Sequence, residues 1–252
     1  MGIMNYSARF KTILTIVYIV LTLCFVGLPF SFLAFGSDIQ TQQSVLYPYK
    51  NTIEIQDDFI SGAVSSGTIG TLGWFVSGGT NTGLAGEGNA PGIFRKETTA
   101  AAATVAALLL SAAQTTLDTS VIGDFGLRAR LNTNDANTTV RIGLGNACTV
   151  AMANGIYFEK LDGDTDWFAV TNNAGVQTRT TTGVAVNTSF NYFEIKKRSG
   201  AAQFFINGSL TNTNSTNLPV TDLNYCTQII NSAAANKTFD HEYFQARIYL
   251  SR

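Results

Sequence analysis

The stretch Asn154–Val176, NGIYFEKLDGDTDWFAVTNNAGV, gathers Glu159, Asp162, Asp164 and Asp166 within eight positions of a chain that is only 13% charged. Tyr157, Trp167 and Asn172 stand beside these carboxylates. Four kinds of chemistry use such a set. Two carboxylates flanking a glycosidic bond hydrolyse it, at about 5–5.5 Å apart for a retaining enzyme. Oxygens at alternate positions hold calcium. A flat ring beside Asp and Asn receives a sugar, the ring taking its apolar face and the polar groups its hydroxyls. Acidic and glycine residues also build the exposed turn between two strands.

The neighbouring residues weigh these options. DGDTD begins like a calcium loop, but Trp167 stands where an EF-hand needs glycine, and Asn173 where it needs a bidentate glutamate. No metal site is therefore assigned. A strand carrying Glu-x-Asp-x-x-Glu would hold its first two carboxylates on one face, because alternate residues share a face. No such string occurs; EIQDD (Glu54–Asp58) and FEKLDGDTD come nearest. The one histidine, His241, alternates with Tyr243, Gln245 and Arg247 and is expected on a polar strand face. Nucleophilic triads and zinc sites therefore lack their residues. GLAGEG has no strand–helix context for a phosphate loop. The expectation is no catalytic residue, no cofactor and no enzymatic activity. Within the stretch, Tyr157, Asp164, Asp166, Trp167 and Asn172 are the candidate ligand-binding set, on an LDGDTD hairpin turn joining Ile156–Lys160 to Trp167–Thr171.

The elements that must position these residues read as strands. FGLRARLN alternates, with Phe125, Leu127, Ala129 and Leu131 on one face and Arg128 and Arg130 on the other. Val140, Ile142 and Leu144 repeat the period, as do Phe193 and Ile195, and Phe244, Ala246 and Ile248. Period two marks half-buried strands. Asn207-Gly208, between two such runs, takes the positive φ values of a tight hairpin turn. TTAAAATVAALLLSAAQ (Thr98–Gln114) is ambiguous: Ala and Leu favour helix, but charges and caps are missing and the neighbours are strands. Thr104–Ser111 is read as a buried strand. Many short strands over about 200 residues predict an all-β antiparallel two-sheet sandwich.

Residues 1–36 form a separate unit. Arg9 and Lys11 precede the uncharged run Ile13–Phe35. An apolar helix here serves either as a signal peptide, cleaved after Ala34-Phe35-Gly36, or as a signal anchor spanning the membrane through residues 13–35. Both place the chain from Ser37 outside the cytoplasm, exported and extracellular or surface-anchored. Residues 37–52 read as a linker and 53–252 as the domain. Of three cysteines, Cys24 lies in the apolar run; Cys148 and Cys226 form a disulfide in an oxidising compartment or stay as separate buried thiols. A net charge of −1 gives no attraction to nucleic acid.

DDFISG (Asp57–Gly62), IGTLGW (Ile69–Trp74), GIFR (Gly92–Arg95), VRIGLGN (Val140–Asn146), NGIYFEK (Asn154–Lys160), DWFAVT (Asp166–Thr171), TGVAV (Thr182–Val186), FFINGSL (Phe204–Leu210) and DHEYFQARI (Asp240–Ile248) occur in that order. The series resembles a concanavalin A-like lectin/glucanase-type jelly-roll domain, similar to those of phage and virus structural and tail-associated proteins. The resemblance implies two curved antiparallel sheets. It implies little about activity, because the fold hosts lectins, glycosidases and structural modules. The expectation is an exported surface or virion module for glycan binding or adhesion. The alternatives are a structural assembly subunit that forms homo-oligomers and, more remotely, a glycoside hydrolase.

Overall fold

The computed structural model describes residues 52–250 except 60–67, 70–71, 86–91, 104, 111–117, 119, 121, 133–135 and 149–151. The apolar segment 13–35 and most of the stretch read as a linker lie outside the described residues. Strand β1 begins at Thr52, the last residue of that linker.

Sixteen strands and no helix occur among the described residues. In chain order they are β1 (Thr52–Asp57), β2 (Thr68–Ile69), β3 (Trp74–Ser77), β4 (Thr80–Ala85), β5 (Gly92–Glu97), β6 (Val105–Leu109), β7 (Ile122–Leu131) and β8 (Thr138–Gly145). There follow β9 (Gly155–Lys160), β10 (Asp166–Asn173), β11 (Val176–Ala185), β12 (Asn191–Arg198), β13 (Ala201–Ile206), β14 (Ser209–Asn214), β15 (Asn224–Asn231) and β16 (Thr238–Tyr249). One sheet runs β14-β13-β12-β7-β16-β5-β4, with β1 also on β16. The other runs β11-β10-β9-β8-β15-β6-β3-β2. All pairings are antiparallel. The two sheets form a jelly-roll sandwich.

The alternation explains the core. Phe125, Leu127, Ala129, Phe193, Ile195, Phe204 and Phe244 enter it from the first sheet; Val140, Ile142, Leu144, Ile156, Phe158 and Trp167 enter from the second. The ambiguous alanine-rich run contributes β6, whose central Ala106, Ala107 and Leu108 are buried between β15 and β3. Neighbouring strands override its helix propensity. Asn207 (φ 52°) and Gly208 (φ 80°) make the expected turn between β13 and β14. Asn207 also accepts the Tyr192 N–H at 2.8 Å and donates to Asn191 at 2.9 Å, tying the turn to the start of β12.

One face assignment changes. The ladder between β16 and β7 slips between His241 and Tyr243, with Glu242 the extra residue. A β-bulge reverses which residues point inward beyond it. His241 therefore faces the core and not the polar face expected from its alternation with Tyr243. Its ring sits among Phe59, Phe94 and Phe239. Nε2 lies 2.7 Å from Thr227 Oγ1 on the opposite sheet and Nδ1 3.3 Å from the Phe94 carbonyl. The bulge also marks a change of neighbour: β5 pairs with Thr238–His241 and β1 with Phe244–Tyr249.

Candidate functional site

The predicted hairpin turn is present. Gly163, at φ 82°, reverses the chain between β9 and β10. Leu161 N–H donates to Asp164 Oδ2 at 2.7 Å, Asp162 N–H to Thr139 Oγ1 at 3.2 Å, and Gly163 N–H to the Ala136 carbonyl at 2.8 Å. Asp162 is exposed, and Asp164 and Asp166 are partly exposed. Asp166 pairs with Ala185 where the β10–β11 register is irregular.

The two rings of the stretch go elsewhere. Trp167 points between the sheets, 2% exposed, edge-on to Phe193 at 4.8 Å. Tyr157 points to the outer face of the second sheet but is also 2% exposed. It belongs to a small second core with Cys148, Met152, Val170 and Cys226. Cys148 and Cys226 are joined, with Cα atoms 6.0 Å apart. The bridge ties Cys148, just after β8, to β15 of the sheet, and Cys148 and Met152 pack with Tyr157. Asn172 is buried beside it, its amide donating to the Met152 carbonyl at 2.6 Å. The structure thus brings Tyr157 and Asn172 together in a buried patch, leaves Asp164 and Asp166 at the rim, and sends Trp167 to the opposite side of the sheet. Neither ring presents a face to a ligand.

What the stretch does present is an ionic network. Glu159, itself buried, accepts from Arg141 Nε at 2.7 Å and from Arg179 Nε at 2.9 Å. Arg179 also pairs with Asp164, and its guanidinium lies 3.4 Å above the Phe168 ring centre. One guanidinium therefore holds Glu159 and Asp164 together, although one is on a strand and the other in a turn.

The outer face of the first sheet carries a set not singled out from the sequence. Tyr243 of β16 is opposite Arg128 of β7, which is opposite Tyr192 of β12. In the adjacent row, Gln56, Gln245, Gly126, Glu194 and Phe205 lie side by side across five strands. Gly126 is required there: a Cβ added to it would lie 2.0 Å from Tyr192 Oη and 2.5 Å from Cζ. The Tyr192 ring therefore lies against the sheet above Gly126. Tyr192 and Tyr243 are half-buried. Burial raises both hydroxyl pKa values, with acidic neighbours adding to the shift, so both stay protonated. Tyr243 donates to Gln245 Oε1 at 3.1 Å. The signal in the sequence was an aromatic residue at an outward position, Tyr192 beside inward Phe193 and Tyr243 beside inward Phe244.

No family model and no curated protein matches this chain. Solved structures do. A Shewanella oneidensis protein of unknown function matches at TM-score 0.60 and 10% identity, over 80% of this chain and 89% of that one. A Bacillus licheniformis β-glucanase matches at TM-score 0.53 and 13% identity, over 79% and 98%. Crh5 transglycosylase in complex with NAG matches at TM-score 0.53 and 14% identity, over 79% and 84%. At these identities the shared property is the concanavalin A-like fold. The expectation of no enzymatic activity is nonetheless corrected, because glucanases and a transglycosylase are built on this scaffold. That expectation rested on the missing Glu-x-Asp-x-x-Glu string. The Glu159–Arg179–Asp164 arrangement gives the physical reason it was too strict: folding brings carboxylates together without one strand carrying both.

Proposed function

We propose that the chain is a glycan-recognising jelly-roll module displayed outside the cytoplasm, on a cell or virion surface. The tyrosine platform on the first sheet carries this reading. A sugar ring laid on Tyr192 and Tyr243 covers its apolar face with aromatic carbon. Gln245, Gln56 and Glu194 then lie in register to exchange hydrogen bonds with its hydroxyls. The NAG complex of a transglycosylase with this fold supports the ligand class. A glycan-array screen of the full chain tests it. Retention of a defined glycan, abolished by Tyr192→Ala and Tyr243→Ala at unchanged denaturation midpoint, is the expected result. No retention of any glycan overturns the proposal.

A second reading is glycoside processing on the other sheet, with Glu159 and Asp164 as the acidic pair. The shared Arg179 favours it, since one guanidinium holds both carboxylates. Hydrolysis or transfer lost in Glu159→Gln and Asp164→Asn supports this reading; activity that survives both substitutions removes the pair from contention.

A further inference from the structure

We infer that the tyrosine platform takes an acidic glycan, one whose sugar carries a carboxylate, received by Arg128. The inference rests on the glycan reading above and names its ligand class. Register places Arg128 between the two tyrosines, so a sugar stacked on the rings brings its substituents to this guanidinium. Arg128 pairs with Glu242 through Nη1, yet its side chain is 44% exposed. A guanidinium carries five N–H donors in a planar fork that matches a carboxylate.

Exposure and preorganisation support the choice. Arg128 belongs to a cluster with Arg95 and Arg130, whose carboxylates are Asp240 and Glu242. Asp240 is fully buried and serves two arginines, accepting from Arg95 at 2.7 and 2.9 Å and from Arg130 at 3.0 Å. The Phe190 ring fixes two of the guanidiniums, 4.4 Å from Arg130 and 5.3 Å from Arg128. Less side-chain freedom is then lost when an anion arrives. Toward the other end of the face each cation has its own carboxylate: Arg247 with Glu54, Lys196 with Glu194 and Arg198 with Asp124. Asp58 and Glu54 approach Tyr243 from the β1 side, opposite to Arg128. Arg128 is the most exposed of these paired cations, at 44% against 41%, 28% and 34%, and it is the one flanked by both tyrosines.

The test uses the full chain and matched oligosaccharides of the gluco, galacto and manno series, each neutral, C6-carboxylated or C6-sulfated. The expected result is at least tenfold tighter binding of the carboxylated member of one series, weakening as salt rises from 50 to 500 mM. Arg128→Gln should erase the preference while leaving the neutral member bound. Because Arg128→Gln leaves Glu242 buried without its partner, Arg128→Gln/Glu242→Gln serves as the control for folding. Equal or tighter binding of the neutral member, or binding of the sulfated member alone, overturns the inference and leaves the glycan reading standing. Retention of none of the sugars overturns both.

Discussion

The two tryptophans offer a paired experiment, because the fold treats the same indole in opposite ways. Trp74 and Trp167 are both buried, and each meets a phenylalanine edge-on at 4.8 Å, Phe244 and Phe193 respectively. Their N–H groups differ. Trp74 Nε1 donates at 2.9 Å to Oδ2 of Asp57, a buried carboxylate that also accepts the Phe59 and Leu72 N–H groups. Trp167 Nε1 is buried without a hydrogen-bond partner. Replacing either by phenylalanine removes similar volume, and Trp74, which also meets the Phe59 and Tyr225 rings, gives up aromatic contact that adds to its cost. Trp74→Phe also removes a bond to a charged acceptor, about 1.5–3 kcal/mol. Trp167→Phe removes an orphan donor, whose burial itself costs about 1–3 kcal/mol. Trp74→Phe should therefore be the more damaging by at least about 2 kcal/mol. At a urea m-value of about 3 kcal/mol/M this separates the unfolding midpoints by roughly 0.7 M. Each variant keeps one tryptophan, so fluorescence follows both transitions. Coincident midpoints, or a lower midpoint for Trp167→Phe, would refute the reasoning from indole hydrogen bonding.

Three further outcomes follow from particular contacts. Burial pushes the His241 pKa down to about 4 from an ordinary 6.5, so the unfolded chain binds a proton that the folded chain does not. Stability is complete above pH 6.5 and falls toward pH 4 by on the order of 3 kcal/mol, a slope that chemical denaturation should find in the parent and not in His241→Gln. The Cys148–Cys226 bridge spans 78 residues, and replacing both by alanine should lower stability by about 4 kcal/mol on the chain-entropy model. It should also loosen the packing on Tyr157, read as faster exchange of the β9 amides; unchanged exchange counts against that packing. Gly126→Ala should displace the Tyr192 ring and abolish glycan binding with little change in the midpoint, since a side-chain end gives way and not the backbone. Full binding by this variant would mean that the reclined ring is not part of the site.

Much of the architecture was legible because the side-chain period of a strand is two. Inward Phe125, Leu127 and Ala129 and outward Arg128 and Arg130 could be assigned from FGLRARLN without knowing any partner strand. So could the Asn207-Gly208 turn and the LDGDTD hairpin, whose residues are chosen by local backbone needs. The candidate site was less legible. Clustered carboxylates marked Glu159, Asp164 and Asp166, but clustering in sequence says nothing about what covers a side chain. The β9–β10 register pairs Tyr157 with Val170 and so puts Trp167 on the opposite face, yet both rings are buried. Trp167 meets the other sheet, and Tyr157 meets Cys148, held by a disulfide to a residue 78 positions away.

The sequence by itself determined many of the strands, two of the turns and most of the faces read from them, because those depend on neighbours two to four residues apart. Tertiary structure decided the rest. A single bulge at Glu242 turned His241 into the core, against the alternation that placed it with Tyr243. Register between β16, β7 and β12 set Arg128 between Tyr243 and Tyr192, residues separated by 115 and 64 positions. Such neighbours are chosen by which strands pair and in what register, and no local pattern of residues records that choice.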